Sequence, residues 1–347
     1  MVIETNEWIP ADFNINAATV HILNKDAEAP ILTEYALELD EEKYKLIYKK
    51  VDKFFKDKEL KFAKFGEYRS IIPEILEEFN DDNFVDVSKE LAKVLFSVIK
   101  GNETAQSCDL FVVDLITDKG RMLGCIQVDF IVSVEHEILT EGKKIGVNIN
   151  NNLNSLPSAG KFDKGAFILF GNEEFDLYVV DKFKKTKSED EYGAEYFTNS
   201  FLDAQYLEDT RHITKEFKRR TSAFISANIT DAEQGEEVRA ILRETLENED
   251  TVNIYEFADK ITTDDELKEK YCSLVNDISK ESELQLDKTY CSEILDKITL
   301  RIKNDFSEIK VILSQDDYKD PNKFEVIKNG DGSINIVLKN IFTFNEK

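Results

Sequence analysis

The chain has 347 residues and a formal charge of −25, from 70 Asp plus Glu against 45 Lys plus Arg. Its hydrophobic share of 41%, with 24 Phe and 12 Tyr, is enough for a sizeable core and excludes a disordered tail, a collagen and a disulfide scaffold. The average field of such a molecule repels a phosphate polyanion, so any nucleic-acid contact needs a local basic patch, a protein partner or a metal.

Residues 14–24 read as a strand, followed by a polar turn over 25–29 and an extended segment over 30–32. Asp40 then caps a helix whose apolar positions Tyr44, Ile47, Tyr48, Val51, Phe54 and Phe55 fall on one face. A shorter helix is predicted over 67–79, with Pro73 near its first turn. Phe84, Val87, Leu91, Val94, Leu95 and Val98 repeat the helical spacing, and Gly101-Asn102 ends that helix.

The pattern changes after residue 107. Short apolar runs at 108–117, 122–130, 132–139, 144–149, 166–170 and 175–181 are punctuated by Asp118-Lys119-Gly120 and Glu141-Gly142-Lys143. Strands joined by tight turns predict an antiparallel meander, with an exposed loop rich in Asn and Ser over 148–160. After Lys182 helical spacing dominates, at 190–202, 209–227, 231–248, 252–261, 264–279 and 287–304. Strands at 310–313, 324–328 and 333–342 close the chain, with Asn329-Gly330-Asp331-Gly332 as a hairpin turn. Strands and helices are grouped rather than alternating. The expected class is therefore α+β: an antiparallel meander sheet packed with helices over 1–185, then a mainly helical domain over 186–347 closed by a small C-terminal sheet.

Few motifs carry chemistry. Cys108, Cys125, Cys272 and Cys291 form no CxxC pair and read as reduced thiols of a cytosolic protein. The start MVIETNEWIP has no signal-peptide pattern, and no run approaches the roughly 18 apolar residues of a membrane span. Ser158-Ala159-Gly160-Lys161-Phe162 lacks both the upstream glycine and the hydroxyl of a phosphate loop. His21, His136 and His212 accompany no Gly-x-Ser-x-Gly elbow, which argues against a hydrolase and a zinc site. A calcium loop centred on Asn329–Ser333 would place Ile327 and Leu338 at ligand positions, where neither side chain donates oxygen. Of the Glu-x-Lys triplets at 59–61, 266–268 and 308–310, only Glu308-Ile309-Lys310 opens a plausible strand, leaving a metal-dependent nuclease as the one enzymatic alternative. No cofactor is expected.

The basic clusters oppose the acidic trend. Lys182, Lys184, Lys185 and Lys187 leave the strand that ends at Asp181. Arg211, Lys215, Lys218, Arg219 and Arg220 lie on the helix starting near Asp209, with Ile213, Phe217 and Phe224 on its opposite, core-facing side. Arg211, Lys215, Lys218 and Arg219 share a wet helix face, and four such cations could grip two or three phosphates. The competing account is an ordinary solvated face, neutralised by Glu208, Asp209 and Glu216. A third cluster, Lys49, Lys50, Lys53, Lys56, Lys58, Lys61 and Lys64, is diffuse and interleaved with acids.

Several segments resemble, in order and spacing, the bacterial nucleoid-associated protein family of the NdpA/YejK type. They are Ala18–Asn24 followed by Ala29–Leu32, Ser107–Val113, Gly120–Gly124, Lys164–Ile168, Phe175–Lys182, Glu191–Phe197 and Phe201-Leu202. The family pattern continues with Gly-Cys where this chain has Asp203-Ala204. The resemblance implies a cytoplasmic protein associated with the nucleoid, without an established catalytic activity and without catalytic residues to carry over. The function expected is a nucleoid component that binds DNA weakly through the clusters at 182–187 and 211–220. The alternative is an acidic protein that reaches DNA through a DNA-handling enzyme such as a type II topoisomerase. A homodimer fits either reading.

Overall fold

The computed structural model describes residues 2–66, 71–141, 144–155, 161–182, 195–303 and 308–343. Two compact units result: Trp8–Leu207, and Met1–Glu7 with Glu208–Lys347.

The Trp8–Leu207 unit is built on one seven-stranded antiparallel sheet in the order β1-β3-β4-β7-β8-β2-β9. The strands are β1 (Phe13–Leu23), β2 (Lys61–Phe65), β3 (Cys108–Thr117), β4 (Gly120–Asp129), β7 (Lys164–Leu169), β8 (Leu177–Asp181) and β9 (Ala204–Tyr206). Eight consecutive residues of β3 are buried rather than alternate ones, because both faces of the sheet are covered. On one face, Val112, Cys125, Ala166 and Val179 stand in register and share a core with Leu91, Leu95 and Ile99 of α4 (Phe84–Gly101). The other face is aromatic. Phe54 and Phe55 of α2 (Glu41–Phe55) lie 4.7 and 5.1 Å from the Phe167 ring, and Phe55 meets Tyr178 edge-on at 5.6 Å. Gly124 faces Phe167 across the β4–β7 ladder, and a Cβ there would sit 2.1 Å from that ring, so the ring needs glycine beneath it.

α2 begins where its cap predicts: the Asp40 carboxylate accepts the Lys43 amide at 2.8 Å. The short helix near Pro73 is α3 (Ile72–Leu76). The meander expectation changes at one point. β5 (Ile131–Glu141) and β6 (Lys144–Ser155) pair only with each other, and β4 pairs with β7 instead. The expected loop over 148–160 is strand as far as Ser155, and residues 156–160, with most of the 158–162 near-match to a phosphate loop, lie outside the described residues.

Residues Phe197–Leu202 form a π-helix that ends at Asp203 with φ +47° and ψ +56°. This left-handed conformation penalises a Cβ and does not penalise glycine. The Asp203 carbonyl accepts the Gly66 amide at 2.5 Å, so the geometry is held by β2 and its following residue. Asp203→Gly is expected to raise stability by about 0.5–1 kcal/mol in urea unfolding. A loss of stability would show that the aspartate side chain contributes more than its backbone costs.

The second unit contains α1 (Thr5–Trp8, to Glu7), α5 (Thr210–Asn228), α6 (Ala232–Asn248), α7 (Ile254–Ile261), α8 (Asp265–Val275), α9 (Lys288–Leu295) and α10 (Gln315–Lys319). Asp209, Asp231, Asp264 and Asp287 cap α5, α6, α8 and α9 by accepting backbone amides, and Asn253 does the same for α7. Phe217, Phe224, Phe257 and Tyr271 form the centre of its core. Three two-stranded sheets complete it: β10 (Thr251–Asn253) with β11 (Glu283–Gln285), β12 (Lys297–Lys303) with β13 (Glu308–Ser314), and β14 (Phe324–Lys328) with β15 (Ile334–Leu338). The hairpin expected at 329–332 joins β14 to β15. The helix expected over 287–304 stops at Leu295, and residues 297–303 are strand. The apolar period changes there from helical spacing at Cys291, Ile294 and Leu295 to alternation at Ile298, Leu300 and Ile302.

Candidate nucleic-acid interface

The cations singled out in the sequence are placed as follows. Lys182 follows β8 and pairs with Asp57 at 2.6 Å, its ammonium lying 4.2 Å from the Phe162 ring centroid. Lys184, Lys185 and Lys187 lie outside the described residues. The Arg211 guanidinium donates to Asp287 at 3.4 Å and to Asn6 at 3.3 Å, in a half-buried position. Lys215 and Lys218 are half-buried too, and both have interaction partners. Arg219 makes a bidentate pair with Glu216 at 2.9 and 2.7 Å. Arg220 donates to Glu216 at 3.2 Å, to the Leu274 carbonyl at 2.8 Å and to Asp277. With Arg219 and then Arg220 bonded to it, the Glu216 carboxyl is held down at about 2, so it keeps its charge. Lys50, from the third cluster, is buried and donates to the Lys161 carbonyl at 2.8 Å. Lys182 belongs to one unit and Arg211–Arg220 to the other. The three arginines of α5 are thus paired with Glu216, Asp277 and Asp287.

The β12–β13 ribbon is different. Its register pairs Lys297 with Ser314, Thr299 with Ile312 and Arg301 with Lys310, and these residues share one face. The opposite face carries Ile298, Leu300 and Ile302 against Leu313, Val311 and Ile309. Ile298, at the base, is buried; β12 packs against α9 and β13 against α10. Lys297, Arg301 and Lys310 are exposed, and none of their side chains has an ion pair or hydrogen bond among the described residues. Arg301 and Lys310 are directly opposite each other, an arrangement of like charges that is destabilising by itself and relieved by an anion between them. Glu308 lies on the same face at the far end, opposite Lys303.

A family model described as nucleoid-associated protein YejK matches residues 19–344, nearly the whole chain. The chain belongs to that family. No curated protein matches it. As a member of a nucleoid-associated protein family it is a nucleoid-associated protein, and no helix among the described residues is long and apolar enough to cross a membrane. Its three histidines fall where the sequence places them. His21 and His136 are on strands and His212 is in the first turn of α5. Glu308 and Lys310 of the Glu-x-Lys triplet stand exposed on the basic ribbon face. That face is hidden in the sequence because helical spacing continues to residue 295 and predicts a helix over 287–304. The signal present was the alternation of Lys297, Thr299, Arg301 and Lys303 with Ile298, Leu300 and Ile302.

Proposed function

We propose that this nucleoid-associated chain touches DNA directly and weakly, without catalysing a reaction, through the basic face of the β12–β13 ribbon. The observation that carries the reading is the absence of any carboxylate partner, among the described residues, for Lys297, Arg301 and Lys310 on one exposed face. Elsewhere the acidic surface repels the polyanion, so the contact is confined to a small footprint. Three neutralised phosphates give a slope of about −2.7 for log K against log salt, or about a 40-fold loss between 50 and 200 mM salt.

Fluorescence anisotropy with a labelled duplex tests this. The triple variant Lys297→Glu, Arg301→Glu, Lys310→Glu is expected to lose binding. The set Lys215→Glu, Lys218→Glu, Arg219→Glu on α5 is expected to lose less, because Arg219 already pairs with Glu216 and the two lysines are half-buried. A ribbon variant that binds as the parent does sinks the proposal.

One observation favours a second reading. The carboxylates paired with α5 and the net −25 suit an acidic protein that binds a basic DNA-handling enzyme, such as a type II topoisomerase. In that case the purified chain ignores DNA at about 50 mM salt and retains the purified enzyme on a column.

A further inference from the structure

Resting on the ribbon reading above, we infer that the ligand of this face is the major groove of duplex DNA, with Ile312 packed against the 5-methyl group of thymine. Ile312 is 58% exposed in the middle of the basic face. Thr299 stands directly opposite it, Lys297 and Arg301 lie diagonally across, and Lys310 is two residues away on its own strand. It is not a core residue displaced outward, since the strand alternates regularly and the half-buried Val311 and Leu313 occupy the opposite face. An isoleucine ringed by cations gains nothing from water. It gains from an apolar group carried on a polyanion, and the thymine methyl in the major groove is that group.

Dimensions agree. Two strands about 4.8 Å apart with their side chains make a ribbon roughly 10 Å wide, which enters a major groove about 12 Å wide and not a minor groove about 6 Å wide. The cations then reach the phosphates along the groove walls, with Arg301 and Lys310 sharing the charge that relieves their mutual repulsion. Single-stranded DNA is held chiefly by stacking on aromatic rings, and this face has no aromatic ring among the described residues. Duplex is therefore preferred to single strand.

The test compares an A·T-rich duplex with the same duplex carrying uracil in place of thymine, which deletes only the methyl. The parent protein is expected to bind the thymine duplex about three- to fourfold more tightly, the effect of one buried methyl-sized contact. A G·C duplex with 5-methylcytosine, whose methyl occupies the same groove position, is expected to bind more tightly than the unmethylated one. Ile312→Ala, at an exposed site that leaves folding intact, is expected to erase both differences while keeping the salt slope. Equal binding of thymine and uracil duplexes by the parent, or tighter binding of the single strand, overturns the inference and leaves the ribbon reading standing. No salt-sensitive retention of any duplex overturns both.

Discussion

Asp181→Ala is expected to destabilise the protein by about 3–5 kcal/mol, measured as a fall in the urea midpoint of the Trp8–Leu207 unit. Asp181 ends β8 and is almost wholly buried, as is its ion-pair partner Lys164 on β7. One carboxylate oxygen takes the Lys164 ammonium. The other accepts both the amide of Thr198 at 3.0 Å and its hydroxyl at 2.9 Å, tying the sheet to the π-helix. The Thr198 hydroxyl continues to Tyr206 at 2.9 Å, and the Lys164 ammonium lies 4.9 Å from the Tyr196 ring centroid. Removing the carboxylate takes the ion-pair partner from a buried ammonium, which keeps the Lys182 carbonyl at 3.4 Å, and the acceptor from two buried donors. Removing both charges spares only the ammonium: Lys164→Met with Asp181→Leu is expected to recover part of the loss, because the desolvation cost of the pair disappears with the pair while Thr198 still lacks its acceptor. Asp181→Asn separates the two effects, since it keeps an acceptor for Thr198 and loses only the charge. A cost below about 1 kcal/mol for Asp181→Ala, as for a surface pair, would refute the buried-pair account.

The elements legible in the sequence were those whose information is local. α2 announces itself by Asp40 and by six apolar residues on one face, all within 16 residues. β3 and β4 are adjacent strands joined at Asp118-Lys119-Gly120, and their pairing follows from the turn. β2 was missed because Lys61–Phe65 is short and its partners, β8 and β9, lie more than a hundred residues further on. The departure of β5 and β6 from the sheet is likewise a non-local choice, made when β4 takes β7 as its neighbour.

The candidate site divides in the same way. That Arg211, Lys215, Lys218 and Arg219 cluster on α5 can be read from helical spacing. That Arg211 meets Asp287 and Arg220 meets Asp277 cannot, since those acids come from residues more than fifty positions later. The ribbon cations were present as an alternating pattern, but the helical spacing of the preceding residues runs into it without a Gly or Pro to mark the change. Association with the nucleoid rested on the order of many ordinary strand segments, none of them a site. The family assignment was therefore legible where the contact surface was not.

Asp109→Asn is expected to make the protein more acid-sensitive between pH 6.5 and 4, although it removes a carboxylate. Two buried groups of the Trp8–Leu207 unit titrate oppositely in that window; Asp209, also raised by burial, belongs to the other unit. His21 on β1 is buried, and burial, then the nearby Lys89 charge, pulls it down from 6.5 to about 4. Its Nδ1 accepts the Thr33 amide at 3.2 Å, which leaves Nε2 as the donor to Ser88 at 2.9 Å. That bonding fits the neutral ring. The unfolded chain therefore takes up this proton first, and stability present above pH 6.5 is lost as pH falls through 4, by about 3 kcal/mol. Asp109 on β3 is raised to about 6 by burial, against the pull of Lys50. Its stability contribution has the opposite sign. It is fully present below the unfolded value of 3.8 and lost as pH rises through 6, again by about 3 kcal/mol. Acidification from 6.5 to 4 thus costs through His21 what it returns through Asp109, and the parent is expected to be nearly flat from these two groups. Glu216, held at about 2, gives up its stabilisation only below 4.5 and stands outside the window. With asparagine at 109 the compensation is gone. Stability is expected to fall by about 3 kcal/mol from pH 6.5 to 4, read from urea midpoints at half-unit intervals. The variant also starts higher at pH 7, by less than the full 3 kcal/mol because Lys50 loses an attractive neighbour. A variant as flat as its parent across the window would mean that His21 accepts its proton in the folded state without loss, and the buried neutral ring would have to be abandoned.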